Sequence, residues 1–147
     1  MFKYNLYLFK YLPSAWLCGV RVRDLNDKKC IITVKHNWFN SNPFKSLYWA
    51  VQGMASELAT GLAIIDFANK NSLNISMLVV SNESRFLKKA KGKIRFECDE
   101  ISKIKKTLSS LSKNKTTDKI KLKSTGYDES GDVVSEFIYE WSFKLKL

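Results

Sequence analysis

The chain has 147 residues, 45% of them hydrophobic and 13% aromatic, enough apolar matter for one packed domain over 1–147 and too much for a disordered chain. Lys and Arg number 25 against 14 Asp and Glu, giving a formal charge of +11 and a pI near 9.6. A nucleic-acid partner is nonetheless not expected: Lys119, Lys121 and Lys123, like Lys144 and Lys146, alternate with apolar residues as on the wet face of a strand, and Arg, the better phosphate fork, is scarce.

The opening MFKYNLYLFKYLPSAWLCG is apolar with a nearby lysine, but Lys10 breaks the run and bulky Leu17 precedes Cys18, so neither a secretory leader nor a lipoprotein site is expected. Within it Phe2, Leu6, Phe9 and Leu12 recur near helical spacing, and Pro13 closes the segment. This predicts a short amphipathic helix over 2–12, packed as a cap on the body rather than lying on a membrane.

Leu17 to His36 reads as a hairpin, with Val20, Val22 and Leu25 inward, Arg21 and Arg23 outward, Asn26-Asp27 as the turn, and Cys30, Ile32 and Val34 inward on the return. The segment Asn42 to Asn69 predicts one long helix. Asn42 is a good cap, Pro43 suits the first helical position, and no proline follows in the chain. Apolar residues from Leu47 to Phe67 occupy every side of its wheel, so it is expected to be buried all round. At about 1.5 Å per residue it would be nearly 40 Å long. Glu57 and Asp66 interrupt it, leaving no run of roughly 18 apolar residues for a membrane span.

Four further strands are expected at Met77–Val80, Ile94–Cys98, Ile120–Ser124 and Val133–Leu147, the last alternating through Trp141, Phe143, Leu145 and Leu147, with a turn at Asp128–Gly131. Ile101, Ile104, Leu108 and Leu111 predict a surface helix within Asp99–Lys113, followed by a polar loop over Ser112–Asp118. Cys18, Cys30 and Cys98 form no close pair, which predicts free, mostly buried thiols and a reducing, cytoplasmic setting. A single histidine, His36, excludes a multi-histidine metal site, and no metal is expected.

A hairpin, an almost wholly apolar helix and a run of antiparallel strands make an α+β fold in which a curved sheet of about six strands wraps the helix. A partner subunit would close the open side. This is the hotdog order. The words NPFKSLYWAVQGMASELATG, SMLVVSN, FLKKAKGKIRFEC and GYDESGDVVSEFIYEWSFK, in that order, resemble a bacterial family of unknown function among the hotdog proteins whose members are often labelled thioesterases. The resemblance runs from LPSAWLCGVRV to the C-terminus. For that superfamily it implies a homodimer, in some cases a tetramer, with sites at the subunit interface near the N-terminal half of the long helix. It also implies hydrolysis of an acyl-CoA thioester, with acyl-CoA as substrate or ligand and no other cofactor. The superfamily commonly carries His-Gly-Gly at the helix start and an acid two turns later. This chain departs from that, with Pro43-Phe44-Lys45 and then Gln52.

Gln52 can orient a water or bind a carbonyl but cannot be a base, so Glu57 is the candidate catalytic carboxylate, with an ion pair or capping bond to a strand or the other subunit as its alternative role. At about 100° per residue the two are rotated roughly 140° apart and cannot face one site equally. Asn37, Asn40 and Asn42, with N–H groups near Phe44 to Ser46, either fill turns or make a polar pocket for a thioester carbonyl, in which Asn42 would share the catalytic role. Phe44 and Trp49 would line the acyl chain. Lys88, Lys89 and Lys91, beside Arg85 and Lys93, either protect a sheet edge or receive the phosphates of coenzyme A. His36 is a further candidate base. The alternative to an enzyme is the same dimer binding an acyl-CoA or fatty acid without turnover.

Overall fold

In the computed structural model, which describes residues 1–146, the chain runs α1 (Phe2–Tyr11), α2 (Pro13–Leu17), β1 (Arg21–Leu25), β2 (Cys30–Lys35), a 3-10 turn (Trp38–Asn40), α3 (Trp49–Lys70), β3 (Ile75–Phe86), β4 (Lys93–Cys98), α4 (Ile101–Ser109), β5 (Thr117–Tyr127) and β6 (Val133–Leu145). Leu147, placed above at the end of the last strand, lies outside the described residues. The strands form one six-stranded antiparallel sheet in the order β1-β2-β4-β5-β6-β3, and α3 packs against β2, β4, β5 and β6 on its inner face. The wrapped-sheet architecture is the one expected.

The helix begins later than its cap signature suggests. Asn42 does not cap α3: its Oδ1 accepts from the N–H of Phe44 and Ser46, and its carbonyl accepts from Lys45, closing a separate turn. An Asn before a Pro satisfies backbone donors equally well in a turn as at a helix start. Tyr48 stands at the true N-cap and offers no side-chain bond. Lys45, at the last position of the lost His-Gly-Gly word, holds φ +59°, the left-handed region that glycine adopts freely.

The N-terminal helix packs on the body as expected, but by a different face from the apolar one. Leu8 is fully buried, Tyr4 donates to the Asp66 carboxylate at 2.5 Å, and the Asn5 amide accepts from Val22 N–H and donates to Val22 carbonyl. Asn5 thereby closes the free edge of β1. Since Tyr4, Asn5 and Leu8 define the inward face, Phe2, Leu6 and Phe9 point out. Pro13 does not merely end this helix but opens α2 at its first position.

β3 runs six residues beyond the four that alternation marks. Ser81–Phe86 carries few buried side chains, and pairing along β6 rather than burial holds it extended. The first hairpin strand starts at Arg21 rather than Leu17, because Leu17 ends α2 and Gly19 turns the chain at φ +84°; a bulge then lies between Val22 and Asp24. Where β4 meets β5, a Cβ on Gly126 would lie 2.7 Å from the buried Phe96 ring and 2.9 Å from Ser135 Oγ, so only glycine fits that turn of the sheet.

One strand ties the helix to the sheet. On β6, Ser135 Oγ donates to Gln52 Oε1 (2.8 Å), Tyr139 shares a 2.7 Å bond with Ser56 Oγ, and Trp141 Nε1 donates to Thr60 Oγ1 (3.0 Å). Gln52, Ser56 and Thr60 recur every fourth residue, one polar stripe on an otherwise apolar helix, and all are buried.

Candidate functional site

Three hollows follow one another along the side of α3 that the sheet leaves uncovered. The first, about 410 Å³, lies at the helix start between Asn42, Phe44, Ser46, Trp49 and Gln52 on one wall and Phe86 to Ala90 on the other. The second, about 320 Å³, is bounded by Trp49, Gly53, Met54 and Glu57 with Val79, Asn82, Phe137 and Tyr139 of the sheet. The third, about 210 Å³, lies between Glu57, Leu58, Gly61, Leu62 and Ile65, with Met77 and Trp141 as sheet wall and Tyr7 and Leu12 across the end. Trp49 borders the first and second, and Glu57 borders the second and third. The result is a groove with a lysine-bearing mouth, a carboxylate midway and an apolar end.

Glu57 sits in this groove because the polar stripe of Gln52, Ser56 and Thr60 turns toward β6 and leaves the adjacent helix side, Gly53 and Glu57, facing away. Among the described residues no hydrogen bond or ion pair meets its carboxylate, and burial pushes its pKa up from the ordinary glutamate value. Within the described residues of one chain, neither an ion pair nor a capping bond engages it. The neighbouring Tyr139 hydroxyl is pushed above the usual tyrosine range, chiefly by burial, so it stays protonated and serves as a donor. Gln52 opens on the first hollow only. Its Oε1 accepts from Ser135, and its Nε2 donates to Leu47 carbonyl at 3.2 Å, so its amide is spent on structure.

The remaining predicted residues separate. Asn42, Phe44, Ser46, Trp49, Lys88 and Lys89 come together around the first hollow. Asn37 and Asn40 lie outside it: their side chains form the capping box of the 3-10 turn, and Asn40 also donates to the carbonyls of Cys18 and Lys35. Lys91 is exposed beyond the lining. Lys88 is turned to Asp128 and Asp132, at 2.6 and 2.7 Å, while Lys89 reaches Phe44 carbonyl. His36 Nε2 meets Ser41 Oγ at 2.9 Å, away from the groove's lining.

The N–H groups of Phe44 to Ser46 are likewise not free, since Asn42 takes all three. At the helix start proper, Trp49 and Ala50 N–H meet no acceptor among the described residues. Sequence reasoning missed these donors, and it missed Tyr7, Leu12, Ser135, Tyr139 and Trp141. The signal for the β6 residues was present: Ser135 and Tyr139 are polar groups on the inward side of a strand, and Ser56 and Thr60 interrupt an apolar helix at four-residue spacing from Gln52.

Cys18, Cys30 and Cys98 are free thiols, and burial pushes Cys98 up to about 11. No group of three or more His, Cys, Asp and Glu side chains comes together among the described residues. No helix of the described residues is long and apolar enough to cross a membrane.

No protein-family profile matches the chain, and no curated protein matches it. Its backbone does match solved structures. A Chlorobaculum tepidum protein of unknown function superposes with a TM-score of 0.84 at 13% identity, over 98% of this chain and 93% of that one. A Pseudomonas aeruginosa protein of unknown function, described as a probable thioesterase, gives 0.81 at 19% identity over 99% and 97%. A glutamine-to-alanine mutant of a thioesterase enzyme from Staphylococcus aureus gives 0.69 at 11% identity over 90% and 98%. Two of these three are described as thioesterases, and the chain shares the hotdog fold with all three.

Proposed function

We propose that this hotdog chain is a thioesterase that hydrolyses acyl-CoA in the groove along α3, with Glu57 as the general base and a second copy of the chain completing the site. The observation that carries the reading is the Glu57 carboxylate, without a partner among the described residues, its pKa raised by burial, and set between a mouth bearing Lys88 and Lys89 and an apolar end. A base works best when its pKa approaches the working pH, because it is then both free to accept a proton and strong enough to pull one from water.

The parts have an order. The nucleotide phosphates would lie by Lys89 in the first hollow, the pantetheine arm past Trp49, and the acyl chain against Gly61, Ile65 and Trp141, where Tyr7 and Leu12 stop it. That end suits medium-length or aromatic acyl groups. The helix-start N–H groups of Trp49 and Ala50 are the natural oxyanion donors, but they precede Glu57 by about 12 Å along the axis. One thioester carbonyl cannot touch both. A homodimer resolves this by bringing the helix start of one copy to the Glu57 of the other.

Thiol release from a panel of acyl-CoAs tests the reading. Glu57→Gln is expected to lower kcat by about a hundredfold or more, the scale of a lost general base, while leaving binding intact. An unaltered rate removes Glu57 from the mechanism. The departure at Pro43-Phe44-Lys45 and the commitment of Gln52 to Ser135 and Leu47 favour the second reading, an acyl-CoA or fatty-acid carrier without turnover. Calorimetric binding with no thiol released would establish that reading instead.

A further inference from the structure

The outward apolar face of α1 has no partner among the described residues. Phe2 is 83% exposed, Leu6 53% and Phe9 56%. At roughly 100° per residue these three fall within about 60° of one another, with Lys3 and Lys10 together along one flank. The face does not end with the helix. Phe9 meets Trp16 of α2 edge-on at 5.4 Å, Leu17 beside it is exposed, and Asn40 ties the 3-10 turn carrying Trp38, itself 91% exposed, to the Cys18 carbonyl just past α2.

Charge says what covers this surface. Lys3 and Lys10 border the face on α1, and the Arg21 guanidinium stacks over Trp16 at 3.5 Å. Asp66, which meets α1 through Tyr4, is also paired with Lys70 at 2.7 Å. An apolar ridge on a helix flanked by cations, with the acid beside it already paired, complements a surface that is negative outside and apolar beneath. We propose that α1 and the Trp38 turn seat the protein on an anionic lipid bilayer, with Phe2, Leu6, Phe9 and Trp38 entering the headgroup layer and Lys3 and Lys10 meeting lipid phosphates. The inference does not depend on the thioesterase reading, and it requires no membrane-crossing segment.

Sedimentation of the full chain with vesicles of phosphatidylcholine alone, and with one third phosphatidylglycerol, tests it. The protein is expected to pellet with the anionic vesicles, with tryptophan emission moving to shorter wavelength. Phe2→Ser/Leu6→Ser/Phe9→Ser should weaken binding at least tenfold, and Trp38→Phe should remove most of the emission shift. Lys3→Gln/Lys10→Gln should weaken binding several-fold on anionic vesicles and leave neutral ones unaffected. All these side chains are exposed, so the fold should survive, which circular dichroism checks. Failure to pellet with anionic vesicles, or unchanged binding in the triple variant, overturns the proposal. A triple variant that instead turns a dimer into a monomer in analytical ultracentrifugation assigns the face to a second copy and overturns it equally.

Discussion

Lys45 holds a left-handed backbone angle that an L side chain adopts only at a cost, and the Asn42 turn around it is what fixes the angle. Lys45→Gly is therefore expected to raise unfolding free energy by about 0.5–1 kcal/mol, measurable by urea titration, because glycine accepts that angle without strain. Glu57 presents the opposite case, a side chain retained at the expense of stability. A carboxyl whose pKa rises on folding binds its proton more tightly in the native state. The stability linked to it is whole below the ordinary glutamate value and drains away as pH climbs through the raised one. Glu57→Gln should thus gain stability over the parent chain as pH climbs above the ordinary glutamate value, an increase that thermal unfolding at a series of pH values would detect. Glu57 was legible in the sequence because a lone acid in an apolar helix demands an explanation. The role of Gln52 was not, since an amide that could orient water and one that bonds a serine across the sheet look alike until Ser135 is in view.

Among the elements, α3 was legible in its burial and misread at its start, where Asn42-Pro43 carries a signature that turn and helix share. Its covering is uneven, however. Trp49 is exposed and Gly53, Met54, Glu57 and Ile65 are half-buried, so within one chain the helix has a groove side as well as a sheet side. The register between helix and sheet comes from β6, through Ser135, Tyr139 and Trp141 on Gln52, Ser56 and Thr60. β3 was legible only where Met77 and Val79 alternate inward, because its later half depends on a neighbour that local pattern does not contain. The meeting of β4 and β5 is similarly invisible in sequence: Gly126 looks like any strand glycine until Phe96 closes on it. Gly126→Ala is expected to cost about 1–3 kcal/mol, the scale of overpacking a filled core, and chemical denaturation would measure it.

For the whole molecule, hydrophobic pattern and element order were enough to reach the wrapped sheet, because only that arrangement hides so apolar a helix outside a membrane. Pattern was not enough for α1, whose apolar stripe faces outward once Asn5 takes the edge of β1 and Leu8 takes the core. Amphipathicity tells that a helix has two sides, not which one the body claims. The two edges of the sheet also differ. At the β1 edge Asn5 takes the Val22 N–H and carbonyl, whereas among the described residues β3 pairs with β6 alone and its other edge meets no strand. Such an edge is a ready place for a second copy to add its own strand.

β6 follows every other element in the chain yet pairs on both sides and reaches back 81 to 83 residues to grip the helix. Contacts so distant along the chain are slow to find. During synthesis, α3 is made early and its seat late, so a greasy rod waits in the open until the closing strand leaves the ribosome. Whatever shelters nascent apolar segments in the cell therefore has a longer task with this protein than its modest size would suggest.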